Sequence, residues 1–165
     1  MSHSVTITRT TTSTTTSAII LNTGYLKTGP GFLKLAQLIL GTVCVGIVSY
    51  YMNRYYYNNA AGQIPELFFL LMAVAFLIGT FCLLTSCLIS LATSSIISKT
   101  IYEVVYHGIA CILYFSAALT LLIEVNHRKY TYNYEPYLAC SIIGLIVAAL
   151  YLFSTILATK SYRGI

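Results

Sequence analysis

The chain has 165 residues, with nine Lys or Arg, four acidic residues that are all Glu, and no Asp; 8% of residues are charged and 58% hydrophobic. Ordinary soluble domains carry roughly 25% charged residues, and small domains leave much of their surface exposed. A mean hydropathy of +0.80 therefore excludes a soluble globular enzyme, a disordered chain and a nucleic-acid binder, and leaves a polytopic membrane protein.

The chain opens on SHSVTITRTTTSTTTS over residues 2–17. This stretch lacks the apolar region of a signal peptide and has too little apolar mass to fold alone. Residues 1–29 read as a disordered Ser/Thr-rich tail, either simply solvated or a platform for phosphorylation. Four long apolar runs follow, at about 35–52, 67–92, 101–125 and 137–159. Each approaches or exceeds the roughly 20 residues that cross the hydrocarbon core as a helix. Helix is the default because a lone strand leaves backbone groups unpaired in lipid, and the alternation of a membrane barrel is absent.

The connections, at about 53–65, 93–100 and 126–136, are short, which favours antiparallel neighbours. The expected fold is all-α: an antiparallel four-helix transmembrane bundle over residues 30–160, with a short tail at 161–165. Four spans put both termini on one side. That side would carry Arg9, Lys27, Lys34, Lys99, Lys160 and Arg163, against Arg54, Arg128 and Lys129 on the other. The positive-inside bias then places both termini in the cytoplasm.

Charges within spans are costly and often functional. Lys34 opens the first span, from where it can snorkel to the headgroups. Glu103 lies one turn into the third, with Lys99 four residues before it and His107 four after, all on one helix face. Two readings stand for this group: a proton relay or substrate site, and an interfacial ion pair with a polar contact between helices. Gln37, the one amide well inside the first span, is placed to bond Glu103 or His107 across helices, and Lys34, Gln37, Glu103 and His107 are together the candidate polar contacts between helices. Glu124 and Arg128, also four apart, suit a rim pair at the other end of the third span.

The five cysteines, Cys44, Cys82, Cys87, Cys111 and Cys140, all fall in spans. No Cys-x-x-Cys is present. They suit small apolar packing, and Cys87, nearest the cytoplasmic surface, is a candidate for palmitoylation. The histidines have no metal-ligand spacing, so neither metal nor cofactor is expected. Ala75 with Gly79, and Gly144 with Ala148, are small pairs at four-residue spacing, which serve bundle packing or a homo-oligomer. Trp is absent and Tyr numbers 15. Nine tyrosines flank the two outer loops: Tyr50, Tyr51, Tyr55, Tyr56, Tyr57, Tyr130, Tyr132, Tyr134 and Tyr137. They form an outer-leaflet anchoring belt or a contact rim for a neighbouring protein or facing membrane.

The stretches Gly31-Phe32-Leu33-Lys34-Leu35-Ala36-Gln37, Tyr102-Glu103-Val104-Val105-Tyr106-His107 and Leu113-Tyr114-Phe115-Ser116-Ala117, set in four short-looped spans, resemble MARVEL-domain proteins. The most similar branch holds plasmolipin, the MAL proteolipids and the chemokine-like-factor transmembrane proteins. The resemblance covers about residues 30–160. It implies a non-enzymatic role in cholesterol-rich microdomains, vesicle cargo sorting or membrane apposition, including myelin- or junction-like structure. The implied partners are membrane lipids and other membrane proteins, with no nucleic acid, at the plasma membrane or transport vesicles. The family has no catalytic or ligand residues to transfer; Lys34, Gln37, Glu103 and His107 match landmarks only. Claudins, tetraspanins and connexin-like channels need outer-loop cysteines that this chain lacks. Two other functions stay open: a small transporter or channel subunit with a polar path at Glu103 and His107, and an accessory subunit of a larger membrane protein.

Overall fold

A computed structural model describes residues 23–55, 64–128 and 134–164. A 3-10 turn at Thr23–Lys27 leads into α1 (Gly29–Tyr55), followed by α2 (Ile64–Ile89), the short α3 (Leu91–Ile97), α4 (Ile101–His127) and α5 (Tyr134–Arg163). At about 1.5 Å per residue, the four long helices measure roughly 40 Å. Each is long and apolar enough to cross a membrane.

Their starts follow from local chemistry. All three prolines lie in first turns: Pro30 in α1, Pro65 in α2 and Pro136 in α5. There the missing N–H has no intrahelical partner to lose, and the fixed φ suits a helix. α2 stops where Ser90 turns extended, at φ −135°, and its hydroxyl accepts from the Thr93 N–H to cap α3. The second apolar run thus breaks at Ser90 instead of running to residue 92, and the connection expected over 93–100 holds a helical turn. The tail expected over 1–29 likewise gives way at Thr23 to the turn ahead of α1. α5 ends at Gly164, whose φ of +71° is the left-handed close that glycine adopts without strain.

Contacts between helix ends set the directions. The starts of α1 and α4 and the end of α5 meet around Lys34, Glu103 and Ser161. At the opposite end, Arg128 after α4 reaches Glu66 at the start of α2. There Tyr51, near the end of α1, meets Tyr137, near the start of α5, edge to face. α1 and α4 therefore run one way, and α2 and α5 the other.

The interior is built from aromatic and small side chains. Phe69, Phe76, Tyr114 and Tyr151 stack through the middle with ring centroids 5.9–6.4 Å apart. Around them pack Cys44, Ala73, Ala110, Ala117, Ala118, Cys140, Val147 and Ala148. α4 and α5 share the most extensive interface, where Ala118 and Gly144 bring the backbones together. The outside shows large apolar residues such as Ile39, Leu71, Ile78, Ile112, Phe115, Ile146 and Phe153. That exposure suits lipid. The outward hydroxyls of Thr42, Ser86 and Thr120 each donate to the carbonyl four residues back, so they carry no free donor into it.

Candidate functional site

Three polar layers interrupt the apolar interior. The first lies at the Lys34 end. Lys34 is 1% exposed and Glu103 4%. They form an ion pair between α1 and α4, two opposite charges taken from similar depths of two helices. The Lys34 ammonium also donates to the Tyr25 hydroxyl at 3.1 Å. Tyr25 is held by its own carbonyl, which accepts from the Thr28 hydroxyl and N–H. Gly31 lies directly against that carbonyl, where a side chain would collide. Burial pushes the ionisation of the Tyr25 hydroxyl up, and the neighbouring Cys87 thiol and Glu103 carboxylate act the same way, so Tyr25 stays neutral.

His107 lies one turn beyond Glu103, with Nε2 3.6 Å from the carboxylate. That is beyond hydrogen-bonding reach. Its ring packs against Tyr106 and Tyr151. Both ring nitrogens, and Gln37 Oε1, are buried without a hydrogen-bond partner among the described residues. Gln37 Nε2 donates instead to Ser154 on α5 at 2.8 Å. A cavity of about 30 Å³ touches Lys34, Glu103, His107 and Ser154, enough for a water-sized molecule.

Of the candidate inter-helix contacts Lys34, Gln37, Glu103 and His107, the structure joins Lys34 to Glu103 directly and sends Gln37 to a different helix. Lys34 does not snorkel; it is spent on Glu103, while Lys99 stays exposed. Gln37 bonds Ser154 and neither Glu103 nor His107. Tyr25 and Ser154 belong to the cluster although nothing local in the sequence marks them. The matched depths of Lys34 and Glu103 were the one available signal. Cys87 is 1% exposed, and its burial beside Tyr25 withholds the thiol from an acyl donor. This removes the expected palmitoylation site.

The middle layer is Thr80, Tyr106 and Tyr151. The Thr80 hydroxyl bonds the tyrosine hydroxyls at 3.0 and 2.7 Å. Both tyrosines also point at the Phe76 carbonyl. Gly79 makes room: a Cβ there would come within 2.5 Å of the Tyr106 hydroxyl. Thr80→Val should lower stability in detergent by about 1 kcal/mol, the scale of hydrogen bonds between membrane helices, because the Phe76 carbonyl remains as acceptor. Equilibrium unfolding in SDS measures it, and a loss above about 3 kcal/mol would contradict that replacement.

The third layer closes the far end. Arg128 bonds Glu124 at 2.6 Å, the pair read from spacing, and also the buried Glu66 at 3.3 Å. Of the tyrosine rim, Tyr50 is exposed and takes a hydrogen bond from Arg54 at 2.8 Å. Tyr134 packs against the core and Tyr137 is buried in it, so these two turn inward. The side chain of Tyr55, and all of Tyr56, Tyr57, Tyr130 and Tyr132, lie outside the described residues.

Among the described residues, no set of three metal-ligating side chains is present. What the three polar layers do is clamp: Tyr25 and Lys34 hold α1 to α4, Gln37 holds α1 to α5, Thr80 holds α2 to α4 and α5, and Arg128 holds α4 to α2.

Comparison with known proteins agrees with this architecture. Residues 25–157 match the family model "MARVEL: Membrane-associating domain". A mouse (Mus musculus) protein named "CKLF-like MARVEL transmembrane domain-containing protein 8" is 27% identical over 155 residues, covering 92% of this chain and 84% of the relative. No solved structure gave a significant match.

Proposed function

Because the chain belongs to the MARVEL family of membrane-associating domains, we propose that it is a non-enzymatic protein that organises membrane microdomains, serves vesicle trafficking or holds membranes in apposition. One observation carries this reading. The polar groups of the spans are turned inward and largely spent on one another, whereas the outer surface is dominated by large apolar side chains. Such a bundle acts through its outside. Its partners are then lipids, cholesterol-rich ones included, and other membrane proteins or further copies of itself. Both termini face the cytoplasm by the six-to-three distribution of basic residues, with residence in the plasma membrane or transport vesicles.

The test has two arms. A tagged copy at endogenous expression should co-segregate with cholesterol-rich membrane or transport vesicles. Proteoliposomes of the purified protein should show no ion or solute flux above empty vesicles. Flux that disappears in Glu103→Gln would overturn this reading in favour of a transporter, using the polar groups His107 presents to the small cavity. Proximity labelling dominated by one stoichiometric partner would instead identify an accessory subunit.

A further inference from the structure

The Lys34 end of the bundle has an unusual charge balance. The sequence holds only four side-chain carboxylates. Glu66, Glu124 and Glu135 lie at the opposite end, and Glu103 is buried against Lys34. The exposed cations Lys27, Lys99, Lys160 and Arg163 therefore share their end with no available side-chain carboxylate. Lys160 and Arg163 differ from the other two in being three residues apart on one helix, hence on one face. They border a shallow, open groove of about 360 Å³ on the surface of α5 itself, lined also by Thr155, Ile156 and Thr159 of the same helix. The two threonine hydroxyls donate to their own helix, to the Tyr151 and Thr155 carbonyls. Deeper along the same helix Leu152, Phe153 and Ile156 are exposed. Moving inward, the surface is thus cationic, then without free hydroxyl donors, then apolar.

That order is complementary to a phospholipid with an anionic headgroup. We propose that the groove is a binding site for one: Lys160 and Arg163 on the headgroup, an acyl chain along Ile156 and Leu152. Paired cations at a membrane surface favour anionic lipid by about fivefold each, and Arg presents a planar fork that matches phosphate oxygens. The proposal rests on the membrane-organising reading and deepens it by naming a lipid class and a place.

The test uses the full chain in nanodiscs, with phosphatidylcholine as background and either phosphatidylserine or a phosphatidylinositol phosphate titrated in. Bound lipid is counted by native mass spectrometry. The wild type should retain anionic lipid over phosphatidylcholine, and Lys160→Gln with Arg163→Gln should weaken that retention about 25-fold. Lys99→Gln, at the same end but off the groove, should change it by no more than the surface contribution of one charge, about fivefold. Loss with phosphatidylserine identifies a simple anionic headgroup. Loss confined to the inositol lipid identifies a phosphomonoester. An equal effect of Lys99→Gln, or unchanged retention in the double variant, would overturn the site. Thermal unfolding of each variant separates these outcomes from misfolding. Such a failure would leave the membrane-organising reading standing, because localisation tests that separately.

Discussion

Lys34→Met should destabilise the bundle by about 3–5 kcal/mol, the range for removing one partner of a buried ion pair. The lost attraction is only part of the cost. The larger part is the Glu103 carboxylate, 4% exposed, left buried without its counter-charge. Two checks separate this from mere loss of packing. Glu103→Gln added to Lys34→Met should restore most of the stability, since the stranded charge is gone. A double-mutant cycle should then give a large coupling energy. Lys99→Met should be near neutral, since Lys99 is exposed. Unfolding in mixed micelles is the measurement. A loss below about 1 kcal/mol for Lys34→Met would show that the pair reaches water or headgroups and is not a clamp.

Gly144→Ala should cost about 1–3 kcal/mol, although it adds one methyl group and alanine is the better helix former. Its Cβ would stand 2.6 Å from the Phe69 ring and 3.0 Å from the Ala118 methyl. Phe69 is fully buried and fixed edge to face against Tyr114. The ring has nowhere to retreat, so α5 must move off α2 and α4, at the usual cost of overpacking. Gly46→Ala is the internal comparison. Nothing lies within 4 Å of a Cβ there, so the same substitution should be neutral or stabilising by up to about 1 kcal/mol. Phe69→Leu should relieve the Gly144 variant. Equal effects at Gly46 and Gly144 would show that helix propensity, and not close approach, governs these positions.

Several features of this protein are readable without coordinates because each depends on neighbours in sequence. The four spans follow from the length of uncharged apolar runs, and the starts of three of them from the prolines. The Glu124–Arg128 pair follows from helical spacing alone. The break at Ser90 is also local, but it lies inside a continuous apolar run, where a serine cap is easily taken for an ordinary small residue of a span.

Other features depend on which helix faces meet, and helices of such uniform apolarity do not announce their faces. An amphipathic helix in water separates its core face from its exposed face; in lipid both are apolar, and the distinction is lost. Spacing places Lys99 and His107 on the helix face of Glu103, yet the charge that neutralises it is Lys34, 69 residues away in sequence. Gln37 was aimed at α4 when it bonds Ser154 on α5. Cys87 lies near the cytoplasmic surface by its depth along the span, yet its side chain is buried in the bundle. Tyr134 and Tyr137 were assigned to a rim by position, but the meeting of α1 and α5 turns them inward. That this chain is a four-span membrane bundle is legible from its residues alone, because hydrophobic length and charge placement act locally. Which buried polar groups neutralise one another depends on how the helices pack, because Lys34, Gln37 and Thr80 each find partners on another helix. That same pairing leaves Lys160 and Arg163 as a cationic pair without an available side-chain carboxylate.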